Sequence, residues 1–534
     1  MLAILILASL LAQPAEAQVF RHGRFEKSFT SSQEPPDPLT VRLTVEFKSR
    51  AGAKETVPAF WAGGRTWTVR FSPEQSGPWA FRTTSSDAAM HDRIGDFQVR
   101  DYTGSNPLYR RGAPRVIPGN RYFTYADGTP WFWLACTGWN SALRSTDAEW
   151  KRYLADRAGK RFTAIQFVMH APWRAGREDE NGQVSFTTQG GLRINPAFFD
   201  RMDRKMDQLN DAGLVGVPVL LWALTSKDKE SPGATLSDED AARLAGYMVA
   251  RYGAHHMIWL LAGDGNYTGP NAARWHRIGR AVFPEGRSRR PVSLHPGGRQ
   301  NPWPDLNDEP WLDFLTFQTG HGSNEEKWKW NATGSAALGY RLSPPRPSID
   351  AEINYEGHLN YHHKTEINAD AVRRAAYYSL LAGTPAGVTY GAHGIWWWGR
   401  KPEAPLDHAS TGIALPWHQY LNYPGAQHLK ILRDIFDTFS WWTLQPDRSL
   451  LAAEPNPPDY LAYPMPAWSG QDKFALLYLD GGTPTKLNLA RFAHDAKSTW
   501  IDPRTGVRTP ASLPLSASVE AKAPGQGDWL LLIQ

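Results

Sequence analysis

The sequence predicts a multidomain protein: a central (β/α)₈ TIM barrel flanked by N-terminal and C-terminal β-sandwich domains. Three observations lead there. At 534 residues the chain is long for a single hydrophobic core. Its middle alternates short apolar runs with amphipathic stretches, the pattern of strands each followed by a helix. Both flanks lack helical periodicity and show the two-residue alternation of half-buried strands.

The first 17 residues hold an apolar run from Leu2 to Leu11, followed by Ala15-Glu16-Ala17. That order reads as a signal peptide cut after Ala17, so a secreted or periplasmic protein is expected. The run is too short to span a bilayer, no later segment is longer and as apolar, and no membrane span is expected. Residues 18–103 read as the first sandwich. Val41 to Phe47 and Thr66 to Phe71 alternate apolar and polar side chains, with turns at Ala62-Gly63-Gly64 and Ser76-Gly77-Pro78.

After a link rich in Gly, Pro and Arg (Gly104 to Gly119), the barrel is expected over residues 116–437. Its strands are placed at Trp131–Cys136, Ala164–His170, Leu214–Leu221, Met257–Leu261, Pro291–His295, Phe314–Gln318, Pro347–Asp350 and Gly387–Tyr390. Helices are expected at Asp147–Ala158, Pro196–Ala212, Asp238–Tyr252, Ala272–Val282, Gly334–Gly339, Ala369–Leu381 and Ala426–Phe436. Residues 438–534 return to strand patterning, with Phe474 to Leu479 and Trp529 to Ile533 as its clearest runs, and read as the second sandwich.

Composition narrows the partners. The formal charge of +5 is thinly spread, with no Lys/Arg block that could track phosphates, so nucleic acid is excluded. The chain carries 24 Trp, 19 Tyr and 22 Phe, enough to line a surface as well as fill cores. Flat aromatic faces suit the C–H faces of sugar rings, which points to a polysaccharide or oligosaccharide substrate. Cys136 stands alone, so no internal disulfide can form. His362-His363 lacks a third ligand at metal spacing, and Gly263 to Gly269 has the wrong spacing for a phosphate loop. Neither a metal nor a cofactor is expected.

In a barrel of this kind the chemistry sits just past the C-terminal strand ends. Those positions hold Trp139 and Asn140 after the first strand, His170 and Trp173 after the second, and Trp222 after the third. The fourth gives Asp264 and Asn266, the fifth His295, and the sixth Gln318 and His321. The seventh gives Asp350, Glu352, Tyr355 and Glu356, and the eighth His393 and Trp396 to Trp398. Two carboxylates among imidazoles, amides and indoles match glycosidic cleavage. One carboxylic acid protonates the leaving oxygen, and a carboxylate attacks the anomeric carbon or activates water. Asp264 and Glu352 are the expected catalytic pair, with Glu356 the competitor for the second role. Asp350, deeper on the same strand face by alternation, is expected to orient Glu352. The remaining rim residues are expected to bind substrate, although consecutive Trp396, Trp397 and Trp398 cannot all face one cleft.

At three places the chain resembles a known family. Asp127-Gly128-Thr129-Pro130-Trp131-Phe132-Trp133-Leu134 with Thr137-Gly138-Trp139, then Met257 to Asn266, then Ala351-Glu352-Ile353-Asn354-Tyr355-Glu356-Gly357 resemble segments of the apiosidase-like catalytic domain. Phe60 to Gly64, Trp67 to Phe71 and Gly77-Pro78-Trp79 are similar to the DUF5060 domain, and Trp500 to Gly506 with Asp528-Trp529 to the "putative collagen-binding" C-terminal module. The resemblance implies a (β/α)₈ glycosidase with an Asp and a Glu as catalytic pair, here Asp264 and Glu352. It implies hydrolysis of plant or microbial polysaccharide, furanosidic linkages included, and analogy to retaining barrels favours retention. Two other classes stay open: a non-catalytic carbohydrate-binding protein on a degenerate barrel, and a lyase.

Overall fold

The computed structural model describes residues 18–224, 231–284 and 290–534; the expected signal peptide lies outside them. Eight parallel strands form one sheet: β1 (Trp133–Thr137), β2 (Ala164–Val168), β3 (Val215–Trp222), β4 (Trp259–Gly265), β5 (Val292–Pro296), β6 (Leu315–Gln318), β7 (Ser348–Glu352) and β8 (Gly387–Ala392). They pair in the order 5-4-3-2-1-8-7-6, a barrel closed everywhere except for a strand ladder between β5 and β6. Side chains bridge that gap. The Ser293 hydroxyl donates to the Phe314 carbonyl (2.7 Å), the Thr316 hydroxyl to the Leu294 carbonyl, and the Val292 N–H to Asp313 (2.8 Å).

Alternate strand residues fill the barrel. Trp133, Ala135, Ala164, Val168, Val215, Val217, Val219, Ile258, Leu260, Ile349 and Ala351 share the inner core. Leu134, Cys136, Ile165, Phe167 and Leu220 join the core outside it. The period of two places every second residue on the inner face, and both faces are covered, so the strands read as continuous apolar runs.

The connecting helices include α1 (Asp147–Gly159), α2 (Pro196–Asp211), α3 (Asp238–Tyr252), α4 (Ala272–Val282), α5 (Trp303–Leu306), α6 (Glu325–Thr333), α7 (Ala369–Ala382) and α8 (Pro424–Phe436). Thr146 and Glu149 close a reciprocal capping box at the start of α1. The helix after β6 begins earlier than the expected Gly334–Gly339: α6 covers Glu325–Thr333 and a further turn follows at Ser335–Gly339. Its buried Lys327 and Asn331 hide an apolar face from any reading by hydrophobic period.

In the N-terminal region a five-stranded sheet and a three-stranded sheet contribute to one core, where Phe47 stacks on Phe71 (4.2 Å) and Phe25 on Phe97 (3.9 Å). Arg70 ties this region to the barrel by donating to Asp203 of α2 (2.6 Å), which also receives Arg251 of α3 (2.8 Å). The C-terminal region holds a six-stranded and a two-stranded sheet. Its Asp528 accepts from buried Arg373 of α7 (2.6 Å) and from Tyr478 (2.8 Å). Asp528→Ala removes the buried carboxylate and leaves that guanidinium with the exposed Asp370 as its remaining ion-pair partner (2.9 Å). A loss of about 1.5–3 kcal/mol is expected, read from the denaturant midpoint; a change below about 1 kcal/mol would show the junction contributes little.

Candidate active site

The C-terminal strand ends open into a cleft of about 450 Å³. Trp139, Trp173, Trp222 and Trp396 wall it, and Asp264, Gln318, His321, Glu352 and Tyr355 face it. Trp222 meets Trp139 edge-on (5.1 Å) and Trp173 tilted (4.9 Å), while the Arg174 guanidinium lies 4.4 Å above Trp173.

β4 aims Asp264 by breaking its own regularity. Its register against β5 shifts twice, between Leu260 and Gly263 and again between Gly263 and Gly265. Asp264 is the residue passed over by the second shift and takes φ +53°, a left-handed conformation that Asp tolerates better than most residues. Gly263 is needed for close packing: a Cβ there would come within 2.7 Å of Val219 and 2.8 Å of the Trp222 ring.

Glu352 ends β7 and is almost completely enclosed. Gln318 donates to Oε1 at 2.6 Å, His321 Nε2 lies 2.9 Å from the same oxygen, and His295 Nε2 lies 3.2 Å from Oε2. The Tyr355 N–H donates to His321 Nδ1 (3.3 Å), so Nε2 carries the proton and donates to Glu352.

These surroundings drive the two carboxyls apart. Burial, and then the Glu352 charge, push Asp264 up to about 6, against the pull of His295, His321 and Arg174. Burial also works against ionised Glu352, but the hydrogen bonds from His295 and His321 outweigh it and hold the group well below the usual carboxylate range. Near pH 5 the cleft therefore holds one protonated and one ionised carboxyl.

The apiosidase-like catalytic domain model matches residues 118–443. The chain belongs to the apiosidase-like family. That membership makes it a glycoside hydrolase acting on a carbohydrate. The DUF5060 model matches residues 18–86, and the "putative collagen-binding domain of a collagenase" residues 445–534. A comparison with curated proteins found no match. Among solved structures, a "putative glycoside hydrolase" from Bacteroides vulgatus ATCC 8482 is similar at TM-score 0.72 and 20% identity, over 97% of this chain and 100% of that one. A glycoside hydrolase family 5 structure from the same organism gives TM-score 0.69 and 22% identity, over 81% and 95%. A structure titled "Glycoside hydrolase" gives 0.69 and 22%, over 81% and 98%. At these identities the likeness speaks for the fold alone.

In this apiosidase-like barrel several rim residues stand behind the cleft wall. Asn140 is fully buried and braces two tryptophan loops: it donates to the Trp173 and Trp397 carbonyls (2.7 and 3.0 Å) and accepts from the Trp173 N–H (2.5 Å). His170 Nε2 accepts from the Trp222 N–H (3.1 Å), and burial lowers its pKa to about 3, so it stays neutral and fixes that wall. His295 touches Trp139 as well as Glu352. His393 is held by Gly357 and Thr411 and lies parallel to Trp396. Asn266 is exposed and closes a turn with Thr268. Trp397 donates to the Arg174 carbonyl and Trp398 stacks on Trp417, which leaves Trp396 as the cleft member of the three.

Glu356 points away from the cleft. Both its oxygens accept from the Gly425 N–H at the start of α8 (2.9 and 3.0 Å), a helix end that attracts negative charge, and one accepts from Tyr390 (2.7 Å). Asp350 also departs from expectation. The pairing of β6 with β7 skips Ala351, so the two-residue alternation breaks and the Asp350 carboxylate accepts from Ser379 of α7 (2.6 Å) and Thr319 (2.7 Å). It still accepts from the Glu352 N–H (3.3 Å).

The cleft also gathers Arg299, His358, Tyr361, His362 and His408. Arg299 lies in the short connection just past β5, and the others lie in the long loops after β7 and β8, away from the strand ends. The loop lengths alone signalled them, and His362 stood out only as a poor metal ligand.

Removing either imidazole from Glu352 withdraws a donor to its charged form. His321→Ala and His295→Ala are each expected to move the acidic limb of kcat/KM upward by about one unit. An unmoved limb would mean Glu352 does not govern it.

Proposed function

We propose that the chain is an exported glycoside hydrolase that cleaves side-chain linkages of plant or microbial polysaccharides, furanosidic ones among them, with retention of configuration. Asp264 is the general acid/base and Glu352 the nucleophile. The opposed protonation of two carboxyls facing one cleft carries this reading.

Asp264 gives its proton to the glycosidic oxygen as the bond to the anomeric carbon breaks. Glu352 attacks that carbon through an oxocarbenium-like transition state and forms a glycosyl ester. Asp264, now ionised, takes a proton from water, whose oxygen displaces Glu352 and restores both groups. The walls position the sugar. The indole N–H groups of Trp222 and Trp396 and the Gln318 Oε1 are buried without protein partners among the described residues, which supports reading them as partners for sugar hydroxyls. We further read residues 1–17 as a cleaved leader, and residues 18–103 and 438–534 as β-sandwiches on either side of a 116–437 catalytic unit.

The test is product analysis of wild type, Asp264→Ala and Glu352→Ala against pectic and bacterial polysaccharides, with the anomer of the released sugar read by NMR. Release by wild type alone, with the initial product retaining the substrate's configuration, supports the proposal. An inverted product would make Glu352 a base that activates water. Glycan binding without release by wild type would overturn the reading.

A further inference from the structure

A second concavity, of about 430 Å³, opens where the barrel meets the C-terminal region. One wall comes from residues 119–122 and 340–345, which precede β1 and β7 and so lie at the opposite barrel end from Asp264 and Glu352. The other wall comes from residues 442–445 and 470–471. Tyr122, Tyr340 and Trp442 line it and each remains partly exposed. The rings of Tyr122 and Trp442 lie 6.4 Å apart at 44°, and the Arg121 guanidinium sits 4.0 Å over Tyr340. Amides of Asn120 and Gln471 complete the wall.

Tyr122 and Trp442 rest with one side against the core that barrel and C-terminal region share, through contacts with Trp441. Trp441 and Leu444 are buried in the shared core, while Trp442 between them stays half open. Among the described lining residues Arg121 is charged and none is acidic. Partly exposed aromatic rings, amides and one cation suit sugar rings that carry carboxylates.

We propose that this concavity binds a chain of acidic polysaccharide. It holds the polymer at one end of the barrel while the cleft at the other end acts on a different stretch. The inference rests on the glycan-hydrolase reading above, but concerns a separate site.

Native electrophoresis of Glu352→Gln through gels containing polygalacturonate tests it. Retardation is expected, and Trp442→Ala or Tyr340→Ala in that background should weaken it roughly fivefold to tenfold. Gln471→Glu replaces an exposed side chain, leaves the core untouched and adds a repelling charge, so it should weaken binding without moving the melting temperature. Trp222→Ala in the cleft should leave most of the retardation. Absence of retardation, or retardation lost with Trp222 but not with Trp442 or Gln471, overturns the proposal. Hydrolysis by wild type without retardation would sink this site alone. Retardation that depends on Trp442, with no hydrolysis of any glycan, would sink the catalytic reading alone.

Discussion

Glu352→Gln is expected to lower kcat by roughly 10⁴-fold while the protein stays folded. Three donors converge on the native carboxylate, from Gln318, His321 and His295. A glutamine there cannot form the glycosyl ester, and its amide NH₂ faces groups arranged to donate. The fold has little stake in the charge, because its partners are groups that line the cleft or stand directly behind its wall. Steady-state rates and a thermal melt together check this. Glu352→Ala should regain activity with added azide or formate, giving products of inverted configuration, since a small anion fits where the carboxylate stood. Activity within tenfold of wild type would remove Glu352 from the chemistry.

Asp264→Ala is expected to lower turnover of natural glycosides by roughly 10²–10⁴-fold, and activated aryl glycosides far less, because those leaving groups depart without a proton. The pH profile gives a sharper check. Asp264 must be protonated to act as acid, and burial together with the Glu352 charge puts its pKa at about 6. kcat/KM of wild type should therefore fall as pH rises through about 6. It should also fall at the acidic end, below the usual carboxylate range, as Glu352 gains a proton. Asp264→Ala should lose the upper limb and keep the lower one. An upper limb that persists in Asp264→Ala would assign the acid to another group. The two carboxyls interact, so the limbs report the pair.

Much of the fold was legible because strands and helices announce themselves by period. The helix at Asp238–Tyr252 and that at Ala272–Val282 were expected at the bounds observed. β4 was expected to stop at Leu261, yet it runs to Gly265 and includes Asp264. The missed residues there are an alanine, two glycines and an aspartate, poor strand formers whose place is set by the neighbouring strands. Of the expected site residues, Trp139, Trp173, Trp222, Asp264, Gln318, His321, Glu352, Tyr355 and Trp396 do meet in one cleft. Asn140, His170, His295 and His393, expected at the same rim, stand behind the wall and brace residues that line the cleft. A strand-end position predicts closeness to the site, but not the direction of a side chain.

By itself, the sequence determined the alternation of strand and helix, the resulting barrel, and the rim where a glycosidase must keep its carboxylates. Only the tertiary structure decided which rim groups face the cleft. The reason is that a local period sets which face a residue takes within its own strand, while bulges and distant partners set its final aim. The double register shift against β5 turns Asp264 inward, and the skipped Ala351 separates Glu352 from Asp350. Glu356 resembles Glu352 in sequence, yet the Gly425 N–H at the start of α8, 69 residues further along the chain, holds its carboxyl away from the cleft that Glu352 faces.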